Sequence, residues 1–246
     1  MKKTYFISDF HLGTPNHEAS LVREKLVCTF IESHKHEMEA LYLVGDIFDF
    51  WFEYKTVVPK GFIRLLGKLA ELRDAGIPVY MFTGNHDLWM KDYFEVELGI
   101  PVYFEPITRK IGEHLFFIGH GDGLGPGDHG FKRMKKVFQN GFAQWLFRWL
   151  HPDIGVGIAN FWSRKSRLAN APKDEVSYGE EEWLLQYCRK KVKEVPADYF
   201  IFGHRHLPMD VVVEGTSHYI NLGDWINYNT FAEYDGQHCS LKKYNP

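Results

Sequence analysis

Five apolar runs in this chain each stop at a short polar cluster: Asp9-Phe10-His11, Gly45-Asp46-Ile47-Phe48-Asp49, Gly84-Asn85-His86-Asp87, Gly119-His120-Gly121-Asp122 and Gly203-His204-Arg205-His206. Runs of this kind read as strands buried on both faces, as found in sheets covered by helices. Open α/β sheets place ligands at the carboxyl ends of their strands. The clusters therefore point to one cleft, with the stretch Leu43-Val44-Gly45-Asp46 at its centre. Together they supply Asp9, His11, Asp46, Asn85, His120, His204 and His206. Taken singly, each is more often a solvated or capping loop residue; five clusters at strand ends reverse that expectation.

The donor types narrow the chemistry. Imidazole mixed with carboxylate suits Mn, Fe or Zn better than Ca or Mg, which prefer all-oxygen shells. No cysteine lies in a cluster, which disfavours a structural thiolate zinc site. Two cations ~3.5–4 Å apart, bridged by an Asp, would activate water for in-line attack on phosphorus.

Between the clusters the periodicity predicts helices over 18–34, 61–75, 91–98 and 178–194. In the first, Leu21, Leu26, Phe30 and Ile31 are the expected buried side. Strands are expected over 4–8, 41–44, 79–83, 102–104, 107–111, 115–118, 199–202, 211–214, 218–222, 230–234 and 240–244. His114 falls in a turn and is expected to be solvated. Cys28, Cys188 and Cys239 are odd in number and scattered, as reduced thiols in a cytosolic protein are. The N-terminal apolar run ends at Asp9, too early for a signal peptide. No uncharged run nears the ~20 residues of a membrane span. A net charge of −3 argues against bulk nucleic-acid binding.

Residues 123–175 break the strand–helix rhythm and read as an inserted helical cap. Phe131, Phe138, Phe142, Trp145 and Trp149 keep helical spacing; Phe147, Phe161 and Trp162 lie nearby. Such a stripe either packs onto its own domain or forms a greasy pocket or membrane-facing surface beside the site. Interleaved Arg148, Arg164, Lys165 and Arg167 would suit anionic headgroups.

In order, Asp9-x-His11, Gly45-Asp46-x-x-Asp49, Gly84-Asn85-His86-Asp87, Gly119-His120-Gly121 and Gly203-His204-x-His206 resemble the motifs of the calcineurin-like metallophosphoesterases. The resemblance spans nearly the whole chain outside 123–175. It implies a four-layer α-β-β-α sandwich, with the core formed by 1–122 and 176–246. It also implies two divalent metals, most readily Mn²⁺. Asp9, His11, Asp46 and His206 would hold one, and Asp46, Asn85, His120 and His204 the other. By the same resemblance, His86 would protonate the leaving group, oriented by Asp49.

One branch is closer: the UDP-2,3-diacylglucosamine pyrophosphohydrolases of lipid A biosynthesis. Shared with it are Gly-Asp-x-Phe-(acid)-x-Trp at 45–51, His-Gly-Asp-x-Leu at 120–124, and the aromatic, basic insertion. That likeness makes Asp128, Ser166, Asn170 and Lys173, beside Asn85, His86 and His204, the substrate contacts. Phe142, Trp145, Leu146 and Trp149 would shelter acyl chains. A nucleotide-activated acylated sugar at the cytoplasmic face of the inner membrane is then the expected partner. The chain departs from that branch at His86, where its best-known members carry Arg, a permanent cation that cannot act as a general acid. Two alternatives follow: another metallophosphoesterase acting on a nucleotide or small phosphoester, and a non-catalytic scaffold on the same fold.

Overall fold

A computed structural model describes residues 2–126, 129–138, 140–159, 161–163, 176 and 178–246. The first sheet is mixed, built from β1 (Lys3–Ile7), β2 (Met38–Val44), β3 (Val79–Phe82), β4 (Val102–Tyr103), β10 (Thr230–Tyr234) and β11 (Cys239–Lys243). Its order is β11-β10-β1-β2-β3-β4. The second holds β5 (Ile107–Ile111), β6 (His114–Ile118), β7 (Tyr199–Phe202), β8 (Met209–Glu214) and β9 (Ser217–Asn221), ordered β5-β6-β7-β9-β8. The pairs β1–β2, β2–β3, β3–β4, β6–β7 and β7–β9 are parallel; antiparallel strands close the β11 edge of the first sheet and both edges of the second.

Side-chain alternation builds the layers. Phe6, Tyr42, Val44, Phe116, Ile118, Tyr199 and Ile201 meet between the two sheets. Their neighbours Tyr5, Ile7, Leu41 and Leu43 face outward and are covered by α1 (His17–His34), α2 (Ile63–Asp74) and α3 (Tyr93–Leu98). On the other side Phe117, Phe200 and Phe202 pack under Leu184, Leu185 and Cys188. Those residues belong to α7 (Trp183–Lys191). The result is helix, sheet, sheet, helix. All three cysteines are free.

Three sequence expectations need correction. The buried side of α1 is Ser20, Arg23, Glu24, Val27, Phe30 and Ile31, with Leu21 and Leu26 only half-buried. Two charges go inside because each has a fixed backbone partner. Arg23 donates to the carbonyls of His11 and Thr14. Glu24 accepts from the amides of Arg64 and Leu65, filling the first turn of α2, which has no side-chain cap of its own. The helix expected over 178–194 is broken: a 3₁₀ turn at Gly179–Glu181 precedes α7, because Glu182 is extended and its carboxylate is held by Arg205. His114 opens β6, half-buried, with its ring Nδ1 2.8 Å from the Tyr234 hydroxyl.

The aromatic stripe is also not one helix. It divides into α4 (His129–Phe138) and α5 (Gly141–Arg148), the second capped by Asn140, whose side chain accepts from the amides of Phe142 and Ala143. A further helical run, α6, covers 152–159. The aromatic residues split between both expected uses. Phe147 packs on Phe52 and Trp89, and the Trp89 indole donates to the Phe138 carbonyl. Phe142, Trp145, Leu146 and Trp149 stay exposed.

Candidate metal centre

The strand ends deliver their donors through backbone that most side chains avoid. Asp9, His11, Asp46, His204 and His206 all have positive φ, between 44° and 69°. Non-glycine residues rarely adopt this left-handed region, and its strain of about 1 kcal/mol each has to be outweighed by the surrounding structure. Glycines then let the loops close on one another. A Cβ at Gly84 would fall on the Asp46 carboxylate, and one at Gly203 on the Asp9 carboxylate. Asp87 locks the arrangement from beneath: one oxygen accepts from Ile47 and Phe48 amides, the other from Gly84.

The donors converge. One ligand atom from each of Asp9, His11, Asp46 and His206 lies within 4.8 Å of all the others. His11 Nε2 stands 3.7 Å from Asp46 Oδ2 and 3.0 Å from His206 Nε2, and His206 Nε2 is 3.2 Å from Asp9 Oδ1. On the far side of Asp46, His120 Nε2 is 3.3 Å from the same Oδ2, and the His204 ring packs against His120. Asp46 thus lies between two sets of imidazoles.

These residues fit divalent cations on grounds internal to the fold. His120 Nδ1 lies 2.9 Å from the Val44 carbonyl, which can only accept, so this nitrogen carries the proton and Nε2 offers a lone pair. That buried Nε2, and Asn85 Oδ1, find no hydrogen-bond partner among the described residues. Buried acceptors left this way are costly unless something electropositive meets them. The field agrees. Burial opposes charge on His120, yet the Asp46 carboxylate raises its ring to about 10, so that a proton occupies Nε2 when no cation does. Burial likewise opposes ionisation of Asp9 and Asp46, but the surrounding imidazoles hold both well below the usual carboxylate range. The site favours positive charge where a cation would stand. Mn²⁺ at about 100 times its dissociation constant is expected to stabilise the fold by ~2.7 kcal/mol per ion. That corresponds to roughly 5–10 °C in melting midpoint for a chain of this size. A midpoint unmoved between chelator and Mn²⁺ would count against this assignment.

Asp49 organises a second group with His11 and His86. Its Oδ1 is 3.7 Å from His11 Nδ1 and 3.6 Å from His86 Nδ1. His86 Nδ1 is also 3.1 Å from the Asp49 backbone carbonyl. The carbonyl requires a protonated Nδ1, which leaves Nε2 as the nitrogen that gains or gives a proton. Burial lowers the His86 ring to about 4, against the pull of Asp46. An anion arriving beside it would shift that balance toward the protonated form.

Three contacts had no sequence signal. Ser163, a buried residue of the insertion, brings its hydroxyl 3.0 Å from His86 Nδ1. Asp87 carries the turn-locking bonds described above. Arg205, between the two histidines of its cluster, turns away from them into a buried ion pair with Glu182 at 2.6 Å and donates to the Val176 carbonyl. Each joins residues far apart in sequence. Asp128, Ser166, Asn170 and Lys173, expected from the likeness to hold substrate, lie outside the described residues, as do Arg164, Lys165 and Arg167.

A UDP-2,3-diacylglucosamine hydrolase of Porphyromonas gingivalis is 39% identical over 95% of this chain and 94% of its own length. The enzyme of that name from Proteus mirabilis is 31% identical over 90% of each chain. Residues 2–208 match the calcineurin-like phosphoesterase family, which takes in all five strand-end clusters. The chain belongs to the calcineurin-like phosphoesterase family.

Proposed function

We propose that this chain hydrolyses the diphosphate of UDP-2,3-diacylglucosamine to UMP and 2,3-diacylglucosamine 1-phosphate, using two divalent cations, with Mn²⁺ the expected ion. The reading is carried by an exposed aromatic helix beside a buried carboxylate–imidazole cluster, in a chain alike from end to end to proteins named for that substrate. Asp9, His11, Asp46 and His206 would hold one cation and Asp46, Asn85, His120 and His204 the other. When bound, such ions lower the pKa of water and neutralise charge on phosphate oxygens.

The chain's own residues do the rest. Asp49 and its carbonyl fix the His86 tautomer, so that Nε2 faces the reaction. The negative charge of the diphosphate favours the protonated His86 ring, which takes its proton from solvent and gives it to the departing phosphate oxygen. His86→Asn is expected to lower turnover about 100-fold on the diphosphate. On a diester with an alkoxide leaving group, which needs the acid more, the loss should be larger; a loss no greater there than on the diphosphate would argue against a proton donor.

The cap, taken as 123–175, would receive the acyl chains on Phe142, Trp145, Leu146 and Trp149, with Asp128, Ser166, Asn170 and Lys173 contacting the sugar phosphate. No helix among the described residues is long and apolar enough to cross a membrane. The exposed aromatic face and Arg148 would instead hold the protein against the cytoplasmic leaflet of the inner membrane. Product analysis with UDP-2,3-diacylglucosamine and Mn²⁺ tests the whole reading. UMP and the lipid 1-phosphate should appear, and not in the presence of chelator. If that substrate survives while a simple diester is cleaved, the protein is a phosphoesterase of other specificity.

A further inference from the structure

A histidine ring turns easily about its Cβ–Cγ bond, so the place of one ring nitrogen is set by what holds the other. For His86 the holders come from two parts of the chain. From the core, the Asp49 carbonyl lies 3.1 Å from Nδ1, and the His11 ring packs edge-on at 4.7 Å between centroids. From the insertion, the Ser163 hydroxyl oxygen lies 3.0 Å from the same Nδ1. A serine oxygen has lone pairs with which to share the Nδ1–H. Two acceptors converging on one N–H hold the ring in a single orientation. With Asp49 alone, the ring is able to swing toward the space that Ser163 fills.

The turn that carries Ser163 is itself pinned to the loop that carries His86. Residues 161–163 form one helical turn. Phe161 and Trp162 are 66% and 55% exposed, whereas Ser163 is buried. The Trp162 ring lies 6.1 Å from that of Phe138, the last residue of α4. Phe138 in turn meets Trp89, edge to face at 5.6 Å, and its carbonyl accepts from the Trp89 indole at 2.6 Å. Trp89 is three residues beyond His86. The contacts close a circuit through His86, Ser163, Trp162, Phe138 and Trp89. A hydroxyl fixed in this way keeps its distance from the ring, which is what orienting a side chain requires.

We propose that Ser163 is a positioning residue for His86, through which the insertion keeps Nε2 aimed at the leaving oxygen. The role rests on the proton-donor reading of His86 given above and not on the identity of the lipid substrate. It gives the insertion a part in the chemical step. The core supplies the metal donors, and the insertion completes the setting of the proton donor. A donor displaced by about 1 Å can lose up to ~100-fold in rate.

Steady-state kinetics of the Mn²⁺-loaded protein on a small diester with an alkoxide leaving group provide the test, because that substrate needs the acid and has no acyl chains. Ser163→Ala should lower kcat about tenfold, with KM nearly unchanged and with bound metal and melting midpoint as in wild type. In a His86→Asn background the same substitution should leave kcat where it was, since no proton donor remains to be aimed. An unchanged kcat, equal fold losses in both backgrounds, a rise in KM alone, or a loss of metal in step with kcat would each overturn the positioning role while leaving His86 as the donor. If His86→Asn itself costs nothing on this substrate, the proton-donor reading falls and the role of Ser163 with it.

Discussion

Asp46→Asn is expected to lower turnover by about 10⁴-fold or more and to reduce bound metal from two ions to at most one. The amide is nearly isosteric and can still accept from the His86 amide, as Oδ1 does at 2.9 Å. What it loses is the charge that His120 Nε2 and His11 Nε2 face from 3.3 and 3.7 Å. Each ion contributes several kcal/mol of charge stabilisation at the phosphate, and each ~1.4 kcal/mol is a factor of ten in rate. Asp46 stands between both sets of donors, so both contributions suffer together. Metal analysis of the purified variant, set beside its activity, is the measurement. A variant that keeps two ions and activity within tenfold of wild type would show that Asp46 bridges nothing.

The second large effect is on stability. Glu182→Ala should destabilise the fold by about 3–5 kcal/mol, because it removes the carboxylate that meets the buried Arg205 guanidinium through two hydrogen bonds. The pair is bidentate, at 2.6 and 3.3 Å, and both side chains are almost wholly inaccessible. The guanidinium carbon also lies over the Tyr178 and Trp183 rings, 5.4 and 5.7 Å from their centroids. For a chain of this size the loss corresponds to roughly 6–20 °C in melting midpoint. Replacing both partners, Arg205→Met with Glu182→Leu, should recover most of it, since two apolar groups of similar shape need no counter-charge. A single variant that melts within about 2 °C of wild type would show that the Glu182 carboxylate adds little to the stability of the fold. The pair matters for chemistry because Arg205 is flanked by His204 and His206. It ties the chain leaving the insertion to the loop that presents both rings.

The fold was legible where apolar runs stop abruptly. Each of the five clusters interrupts a run of strand-forming residues, and the burial of those runs is what makes their ends visible. Asp9, His11, Asp46, His120, His204 and His206 come together because the central strands of each sheet are parallel and their polar ends face the same way. What stayed hidden depends on partners distant in sequence. Arg23 and Glu24 look like the solvated face of a helix, and only the chain turns at 11–14 and 64–65 make them interior. Helical spacing cannot reveal that Phe138 and Phe142 lie on separate helices, because the break is set by the Asn140 cap. Nor does any local pattern bring Ser163 to His86, 77 positions apart.

The left-handed backbone at Asp9, His11, Asp46, His204 and His206 carries a warning for anyone who would engineer this protein. These are positions where glycine relieves torsional strain, so in metal-poor conditions a search for higher melting temperature is drawn toward them. Selection on heat resistance alone would then enrich sturdier proteins with dead centres. A campaign that screens for retained metal at every round avoids that trap, because the strain is useful only while the cations it positions are in place.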